Sequence, residues 1–194
     1  MEADLTLFGT PKTWSVEADR SLLEAARGMN KEAIMSIFDR YSRPLYNFAL
    51  SLGNDPLTAD QIVGDAFAKF LDQLAVRKGP DSNLRSYLFQ ITYHIMIDQI
   101  RDSHHEAPLE DATALHSGDQ SLLAGLEDRM LLRSLLRAIY YDLTKDQRHV
   151  MVLRFFEGFS ISETAAIMGK TVDNIKIIQN RGIAKLRKVL AEFI

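Results

Sequence analysis

Apolar residues recur at helical spacing along most of this chain, and this feature limits the fold more than any other. The stripes combine steps of three, four and seven residues, and they cover 34–52, 62–74, 84–95 and 126–139. Residues with such spacing share one face of an α-helix, whereas a half-buried strand needs alternating apolar and polar residues. No stretch between turn signals keeps that alternation. The sequence therefore predicts an all-α fold, with a further short helix near 19–27 and a kink or restart at Pro44.

Charge is distributed unevenly along the chain, although the net charge is only −3. Residues 106–128 include six acidic and no basic side chains, with one proline and two glycines, whereas residues 129–194 include 12 basic and 6 acidic side chains. A like-charged segment with proline and glycine is typical of a linker. We therefore expect two small helical domains, 18–105 and 129–194, joined by an acidic flexible linker over 106–128. Residues 1–17 form an N-terminal extension of unknown role.

Composition argues against several other classes of protein. The chain has no cysteine, so neither a disulfide framework nor a thiolate metal site is possible. The opening "MEADLTLFGTPKTW" lacks the basic and apolar parts of a signal peptide, and no window reaches the roughly 18 apolar residues of a membrane span. We therefore expect a cytoplasmic protein.

Catalytic and metal-binding patterns are weak. The sequence contains neither a glycine-rich phosphate loop nor a nucleophile with an identifiable base. The metal candidates are His104 and His105 with Glu106, and the pair His94 and Asp98, which are four residues apart; in neither group does a further ligand complete a site with compelling spacing. We expect a protein that is not an enzyme and that uses neither a cofactor nor a metal.

The segment "SISETAAIMGKTVDNIKIIQNRGIAKLRKVL", residues 160–190, predicts two helices joined by a tight turn. Ser160 to Glu163 forms a capping box that starts the first helix, as Thr144 to Gln147 does for an earlier one. Ala165, Gly169 and Ile175 fit a helix-turn-helix, in which a small residue allows close approach, glycine makes the turn and an aliphatic residue fills the core. A plain helical hairpin is the alternative. The outward face of the second helix favours DNA, because its Lys, Arg and Asn side chains suit phosphates and base edges.

Several segments, in this order, resemble those of bacterial RNA polymerase sigma factors of the extracytoplasmic-function (ECF) group, in the sigma-70 family. "TADQIVGDAFAKFLDQL" is similar to the group's polymerase-binding segment, and "SNLRSYLFQITYHIMIDQIRDS" to its promoter-opening segment. "LTKDQRHVMVLRFFEGFSISETAAIMGKTVDNIKIIQNRGIAKLRKVL" resembles its C-terminal DNA-reading domain. The resemblance covers about 18–194. It implies that 18–105 is sigma region 2, that 129–194 is sigma region 4, and that the chain directs promoter-specific transcription initiation.

The resemblance implies core RNA polymerase and promoter DNA as partners, and it leaves an anti-sigma factor open as a third. The polymerase partner is the coiled coil of the largest catalytic subunit. The side chains that would face it lie on the outer side of the helix predicted from the apolar stripe at 62–74: Asp60, Gln61, Asp65 and Lys69. The alternative is that they form an ordinary solvated face.

The resemblance also implies that the segment after this stripe recognises and melts the minus-ten element. Opening a duplex requires the capture of unpaired bases, which planar side chains hold by stacking. Tyr93 and His94 are expected to point outward from the buried stripe of their helix. Asp81, Ser82 and Asn83 would form a polar pocket for one flipped base. The groups that would hold the DNA backbone are Arg77, Lys78 and Arg101.

The second helix of the helix-turn-helix would read the minus-thirty-five element. Its candidate contacts are Thr171, Asp173, Asn174, Lys176, Ile177, Asn180 and Arg181. The chain departs from the family where arginines often end the promoter-opening segment, since it has "RDSHHEAP" there. It also has His94 where asparagine is common, and Ile177, Ile178 and Gln179 where polar or basic residues are common. These differences concern promoter sequence and affinity.

Two other functional classes remain alternatives at this stage. One is a helix-turn-helix regulator that binds DNA without core polymerase. The other is a helical protein-interaction module. Co-purification with core polymerase separates the first from a sigma factor, and DNA binding by residues 129–194 tests the second.

Overall fold

The structure is a computed structural model and describes residues 16–102 and 126–191. Every regular element within these ranges is helical, which confirms the predicted all-α fold. The described residues divide into two compact units, with 16–102 in one and 126–165 and 170–191 in the other. Most of the predicted linker and of the N-terminal extension lies outside the described residues, so both assignments stay predictions.

Residues 16–102 form the four helices of the N-terminal unit that the structure describes, and polar residues cap the starts of three of them. The helices are α1 (Val16–Arg27), α2 (Lys31–Ser51), α3 (Pro56–Ala75) and α4 (Leu84–Asp102). Asn30 caps α2, since its Oδ1 accepts a hydrogen bond from Ala33 N at 2.8 Å. Asp55 caps α3 by accepting from the backbone N–H groups of Leu57 and Thr58.

Pro44 lies inside α2, which the structure assigns as one helix over 21 residues. The prediction of a restart at Pro44 is therefore wrong. A proline removes one backbone hydrogen bond from a helix interior. The continuous buried face of α2, with Ile37, Tyr41, Leu45 and Phe48 at 0% exposure, supplies packing on both sides of that gap.

The core of this unit is built from the predicted stripes of α2, α3 and α4. Phe48 of α2 packs on Phe89 of α4, with ring centroids 5.0 Å apart. Asp19 is buried and ties α1 to α2, because it accepts from Arg40 at 2.7 Å and from the Tyr41 hydroxyl. The pKa of Tyr41 is raised by burial, by its hydrogen bond to Asp19 and by the negative charge of Asp19.

Residues 126–191 form four more α-helices. They are α5 (Leu126–Tyr141), α6 (Lys145–Met151), α7 (Ile161–Met168) and α8 (Val172–Ala191). Both predicted capping boxes are present, at Thr144–Gln147 and at Ser160–Glu163. A π-helical turn, Val152–Phe156, continues α6; the sequence prediction missed it.

The residues at and around the turn between α7 and α8 have the backbone conformation and the burial that the sequence predicts. Gly169 adopts a φ of +62°, a left-handed conformation that favours glycine. Ala165 is 5% exposed and Ile175 is 0% exposed, so the small and the aliphatic residue occupy the core as expected. Leu186 of α8 packs with Ile139, Leu143 and Met151 in one apolar cluster. The predicted helix-turn-helix is thus confirmed as a fold.

Candidate nucleic-acid and protein-binding surfaces

Helix α8 separates a buried face from a polar exposed face. Ile175 and Leu186 lie on the buried face. Because successive residues of an α-helix are about 100° apart, Ile177 lies roughly opposite Ile175, and it is 50% exposed. The other residues predicted to contact the minus-thirty-five element are also exposed. Thr171 precedes the first residue of α8, and the others lie on or beside this face: Asp173, Asn174, Lys176, Asn180 and Arg181.

Local contacts organise the first turn of α8. Thr171 Oγ1 accepts a hydrogen bond from Asn174 N at 3.3 Å, so the threonine acts as a helix cap. Lys176 Nζ lies 3.2 Å from Asp173 Oδ1. Both partners of this ion pair are exposed, so water screens it and it contributes little to stability. Asp173 nevertheless offsets part of the positive charge that Lys176 brings to the face.

Arg154 connects the π-helical turn to α8, and sequence reasoning missed it. Its Nε donates to Gln179 Oε1 at 3.0 Å, and its guanidinium also donates to the Phe159 carbonyl. Burial lowers the pKa of Arg154. Gln179 therefore lies toward the interior side of α8. A π-helical turn has no recognisable spacing in the sequence, and Arg154 could not be distinguished from other basic residues without it.

On α3, four predicted polymerase-binding residues form an exposed polar face. Asp60, Gln61, Asp65 and Lys69 are all exposed. The apolar residues of the same helix turn inward, with Ile62, Ala66 and Phe70 at 0% exposure. The separation of these two faces agrees with the prediction, while the partner that the outer face binds stays a prediction.

Phe38 adds an apolar side chain beside this polar face. The sequence prediction placed Phe38 in the buried stripe of α2, and this is wrong because Phe38 is 48% exposed. Its ring stacks on Phe67 of α3, with centroids 4.8 Å apart. On α3, Phe67 and Asp60 are two turns apart and lie near the same side. Aromatic side chains are enriched at the centres of protein interfaces, whereas polar side chains form the rim.

The segment 76–83 connects α3 to α4 and contains the predicted minus-ten loop. Arg77, Lys78, Asp81, Ser82 and Asn83 are all exposed. Asn83 Oδ1 accepts from Ser86 N at 3.2 Å and so caps α4. The three polar side chains of the predicted pocket are therefore adjacent and exposed, with Asn83 also serving the helix start.

The orientation expected for Tyr93 is wrong. Tyr93 is 5% exposed, whereas His94 is exposed as expected, and the two rings lie 6.0 Å apart. The cause is that α4 buries Leu88, Phe89, Ile91, Thr92 and Met96 as well. At 100° per residue these positions and Tyr93 together span a buried arc of roughly 200°. The apolar residues from which this helix was predicted lie at only one edge of that arc. The side chain of Arg101 lies outside the described residues.

In residues 16–102 and 126–191, no group of three or more His, Asp or Glu side chains is placed to hold a metal ion. His104, His105 and Glu106 lie outside these ranges. None of the described helices is long and apolar enough to cross a membrane.

Comparison with protein families gives two matches in chain order. The family model for Sigma-70 region 2 matches residues 37–106, and the family model for Sigma-70, region 4 matches residues 142–188. Residues 37–106 include most of α2 and all of α3 and α4. Residues 142–188 include α6, the π-helical turn, α7 and most of α8.

Similar curated proteins are ECF sigma factors. The chain is 24% identical over 177 residues to the ECF RNA polymerase sigma factor BldN of Streptomyces coelicolor, covering 88% of this chain and 65% of BldN. It is 28% identical over 165 residues to the ECF RNA polymerase sigma factor SigX of Bacillus subtilis, covering 81% of this chain and 84% of SigX. The chain thus spans slightly less than two thirds of BldN and most of SigX.

Two solved structures share the fold. CnrH, solved in complex with the cytosolic domain of CnrY, aligns with a TM-score of 0.66 and 26% identity, over 90% of this chain and 98% of CnrH. The sigma factor RpoE of Bartonella quintana, solved with the anti-sigma factor NepR, aligns with a TM-score of 0.60 and 24% identity, over 81% of this chain and 96% of RpoE.

Proposed function

The chain belongs to the sigma-70 family, and we propose that it is an ECF sigma factor that binds core RNA polymerase and directs transcription initiation at specific promoters. One observation carries this proposal: the region 2 and region 4 family matches occur in that order, at 37–106 and 142–188, on two separate helical units. The chain contributes binding and positioning, while the polymerase carries out the catalysis. Its place of action is the cytoplasm, where the polymerase and the promoter are.

The exposed face of α3 is the proposed polymerase-binding surface. Asp60, Gln61, Asp65 and Lys69 supply polar contacts, and Phe38 supplies an apolar anchor beside them. Aromatic side chains that are desolvated by a partner often dominate the binding energy of an interface. The acidic side chains suit a partner with basic side chains, which they would attract and orient.

Segment 76–83 and α4 form the proposed minus-ten surface. Asp81, Ser82 and Asn83 offer hydrogen-bonding groups to one unpaired base, and His94 offers an exposed ring. Arg77 and Lys78 are exposed cations next to this loop, where they can hold phosphates. Tyr93 is buried, so its proposed contribution is to hold the neighbouring His94 rather than to stack on a base directly.

Helix α8 is the proposed reader of the minus-thirty-five element in the major groove. Lys176 and Asn180 are four residues apart and share one side of the exposed face, whereas Arg181 lies about 140° from Lys176. In this proposal Asn180 reads a base edge, and Arg181 faces a flanking strand. The carboxamide of asparagine can pair with adenine through two hydrogen bonds, while arginine can also hold phosphate.

Binding titrations of the holoenzyme on promoter and scrambled duplexes test this docking. Asn180→Ala should weaken promoter binding by about 1–3 kcal/mol with little change on the scrambled duplex. Arg181→Ala should weaken both and reduce the slope of log affinity against log salt by about one unit. If Asn180→Ala weakens both duplexes equally, Asn180 does not read a base and this docking is wrong.

An anti-sigma factor is the third proposed partner. CnrH was solved in complex with the cytosolic domain of a second protein, CnrY, and this chain aligns with nearly all of CnrH. Co-expression of the chain with candidate partners, followed by competition against core polymerase, tests this part of the proposal. The alternatives of a polymerase-independent regulator and of a protein-interaction module are not favoured, because both sigma regions are matched.

A further inference from the structure

We propose that Arg27 is a positioning residue that holds segment 76–83 in the conformation that captures an unpaired minus-ten base. Arg27 is the last residue of α1, and it precedes the region 2 match, which begins at residue 37. The proposal rests on the function proposed above, and it assigns a role in promoter opening to a residue outside that match.

The contacts of Arg27 converge on the middle of the segment. One terminal guanidinium nitrogen donates to the Pro80 carbonyl and also lies 2.9 Å from Asp81 Oδ1. Pro80 is buried, whereas the side chain of Asp81 is fully exposed. Arg27 therefore fixes the backbone immediately before the three exposed polar side chains, Asp81, Ser82 and Asn83.

Both ends of the segment are also fixed, by local contacts. Arg77 and Asn83 have positive φ values of 56° and 53°, which non-glycine residues adopt at a cost and keep only where surrounding structure determines them. Lys78 N donates to Gln73 O at 2.8 Å, and this bond closes the end of α3. A Cβ at Gly79 would lie 2.8 Å from Leu74 Cδ2, so the backbone runs directly against α3 there.

The ends are thus held by α3 and by the start of α4, while Arg27 reaches the middle from a different helix. A loop that is fixed before its ligand arrives binds with a smaller loss of conformational entropy. Removing the Arg27 contacts should free the middle of the segment without removing the caps at its ends. The expected consequence is weaker capture of the base and an intact fold.

Charge provides a second reason for the pairing. Asp81 lies in a segment that would approach DNA phosphates, and an uncompensated carboxylate would be repelled there. The Arg27 guanidinium places a positive charge 2.9 Å from that carboxylate. Exposed ion pairs contribute little to folding stability, so the effect of this pair should appear in DNA binding more than in unfolding.

The test measures binding of single-stranded DNA to the holoenzyme. The probes are the non-template minus-ten strand of a mapped promoter and a scrambled strand of the same composition. Arg27→Gln should weaken binding of the minus-ten strand by about tenfold, as expected for one or two lost hydrogen bonds to a charged group. Binding of the scrambled strand, of core polymerase and of the minus-thirty-five duplex should stay the same.

Arg20→Gln is the matched control. Arg20 lies on the same helix and forms an exposed ion pair with Glu24 at 3.2 Å, within α1 itself. This variant should bind both strands as the unmodified chain does. Arg27→Lys keeps the charge but carries it on a compact, flexible ammonium group instead of a rigid planar guanidinium, and its affinity for the minus-ten strand should be intermediate. In the Arg27→Gln background, Asp81→Asn should have a smaller effect on that affinity than it has alone.

Two outcomes would overturn the role of Arg27. Equal weakening of both strands by Arg27→Gln would make Arg27 a phosphate contact, and unchanged binding of both would leave it without a role in base capture. If the unmodified holoenzyme showed no preference for the minus-ten strand, the proposed sigma-factor function itself would be wrong. Thermal unfolding of Arg27→Gln, monitored by circular dichroism, should match that of Arg20→Gln.

Discussion

Arg154 Nε and Gln179 Oε1 lie 3.0 Å apart, so a hydrogen bond joins the π-helical turn directly to α8. Arg154 also donates to the Phe159 carbonyl, between this turn and α7. The guanidinium is half-buried, and its two hydrogen bonds connect the π-helical turn with α8 and with the segment before α7. π-helical turns often occur at functional sites, and here the turn directs Arg154 toward the helix that we propose reads DNA.

Arg154→Ala should lower the free energy of unfolding of the C-terminal unit by about 1.5–3 kcal/mol, the range for hydrogen bonds to charged groups. Chemical denaturation of the full chain, followed by circular dichroism, measures this change. Arg137→Ala is the control, because Arg137 is exposed on α5. Equal costs for the two variants would show that the Arg154 contacts do not stabilise the unit.

His149 should make stability depend on pH. Burial, and then the charge of Arg148, lower its pKa from 6.5 to about 4, while Lys145 and Lys170 also lower the pKa and Asp146 raises it. Below pH 6.5 the unfolded chain takes up a proton that the folded chain does not bind until about pH 4. The free energy of unfolding should therefore fall as the pH falls through this window, by up to about 3 kcal/mol from this residue.

Urea denaturation at several pH values between 4 and 7 measures the His149 effect. In His149→Gln the group that titrates is gone, so this part of the slope should disappear even if the variant is less stable throughout. An identical pH slope in the variant and in the unmodified chain would contradict the assignment.

Charge reversal on α3 should weaken polymerase binding. Asp60→Lys combined with Asp65→Lys changes two exposed side chains, so the helix should still form while its attraction to a basic partner becomes repulsion. Pull-down with core polymerase measures the affinity. The matched control reverses Glu17 and Glu24 on α1, which are also exposed; if both double variants retain full affinity, the α3 face is not the polymerase contact.

Ile177 should contribute to the reading of thymine. It is 50% exposed at the middle of the outer face of α8, and the thymine methyl group is the apolar group that base edges present in the major groove. Replacing one contacted thymine by uracil in the minus-thirty-five duplex should weaken holoenzyme binding by about fourfold, the effect of one buried carbon. Ile177→Ala should remove this difference, and Ile177→Val should keep part of it. A thymine-to-uracil ratio that is the same in Ile177→Ala would exclude the contact.

Local sequence signals were sufficient to predict the helices, both capping boxes and the helix-turn-helix. Thr144, Ser160 and Gly169 act through neighbours within a few residues, so their roles can be read from the chain alone. Tyr93 and Phe38 could not be placed in this way, because their exposure depends on how wide a face each helix buries against the others. The Arg27–Asp81 contact joins residues 54 positions apart, and the sequence has no spacing rule that predicts such a pair. The π-helical turn and Arg154 were also missed, because no spacing rule in the sequence predicts either of them.

Mapping of transcript starts tests the central claim most directly. Core RNA polymerase would be incubated with genomic DNA, with and without the purified chain, and the 5′ ends of the transcripts would be sequenced. The account predicts new and reproducible starts that depend on the chain, each preceded by the same pair of minus-thirty-five and minus-ten sequences, and predicts their loss with the Asp60→Lys, Asp65→Lys variant. Identical sets of starts with and without the chain would contradict the assignment as a sigma factor.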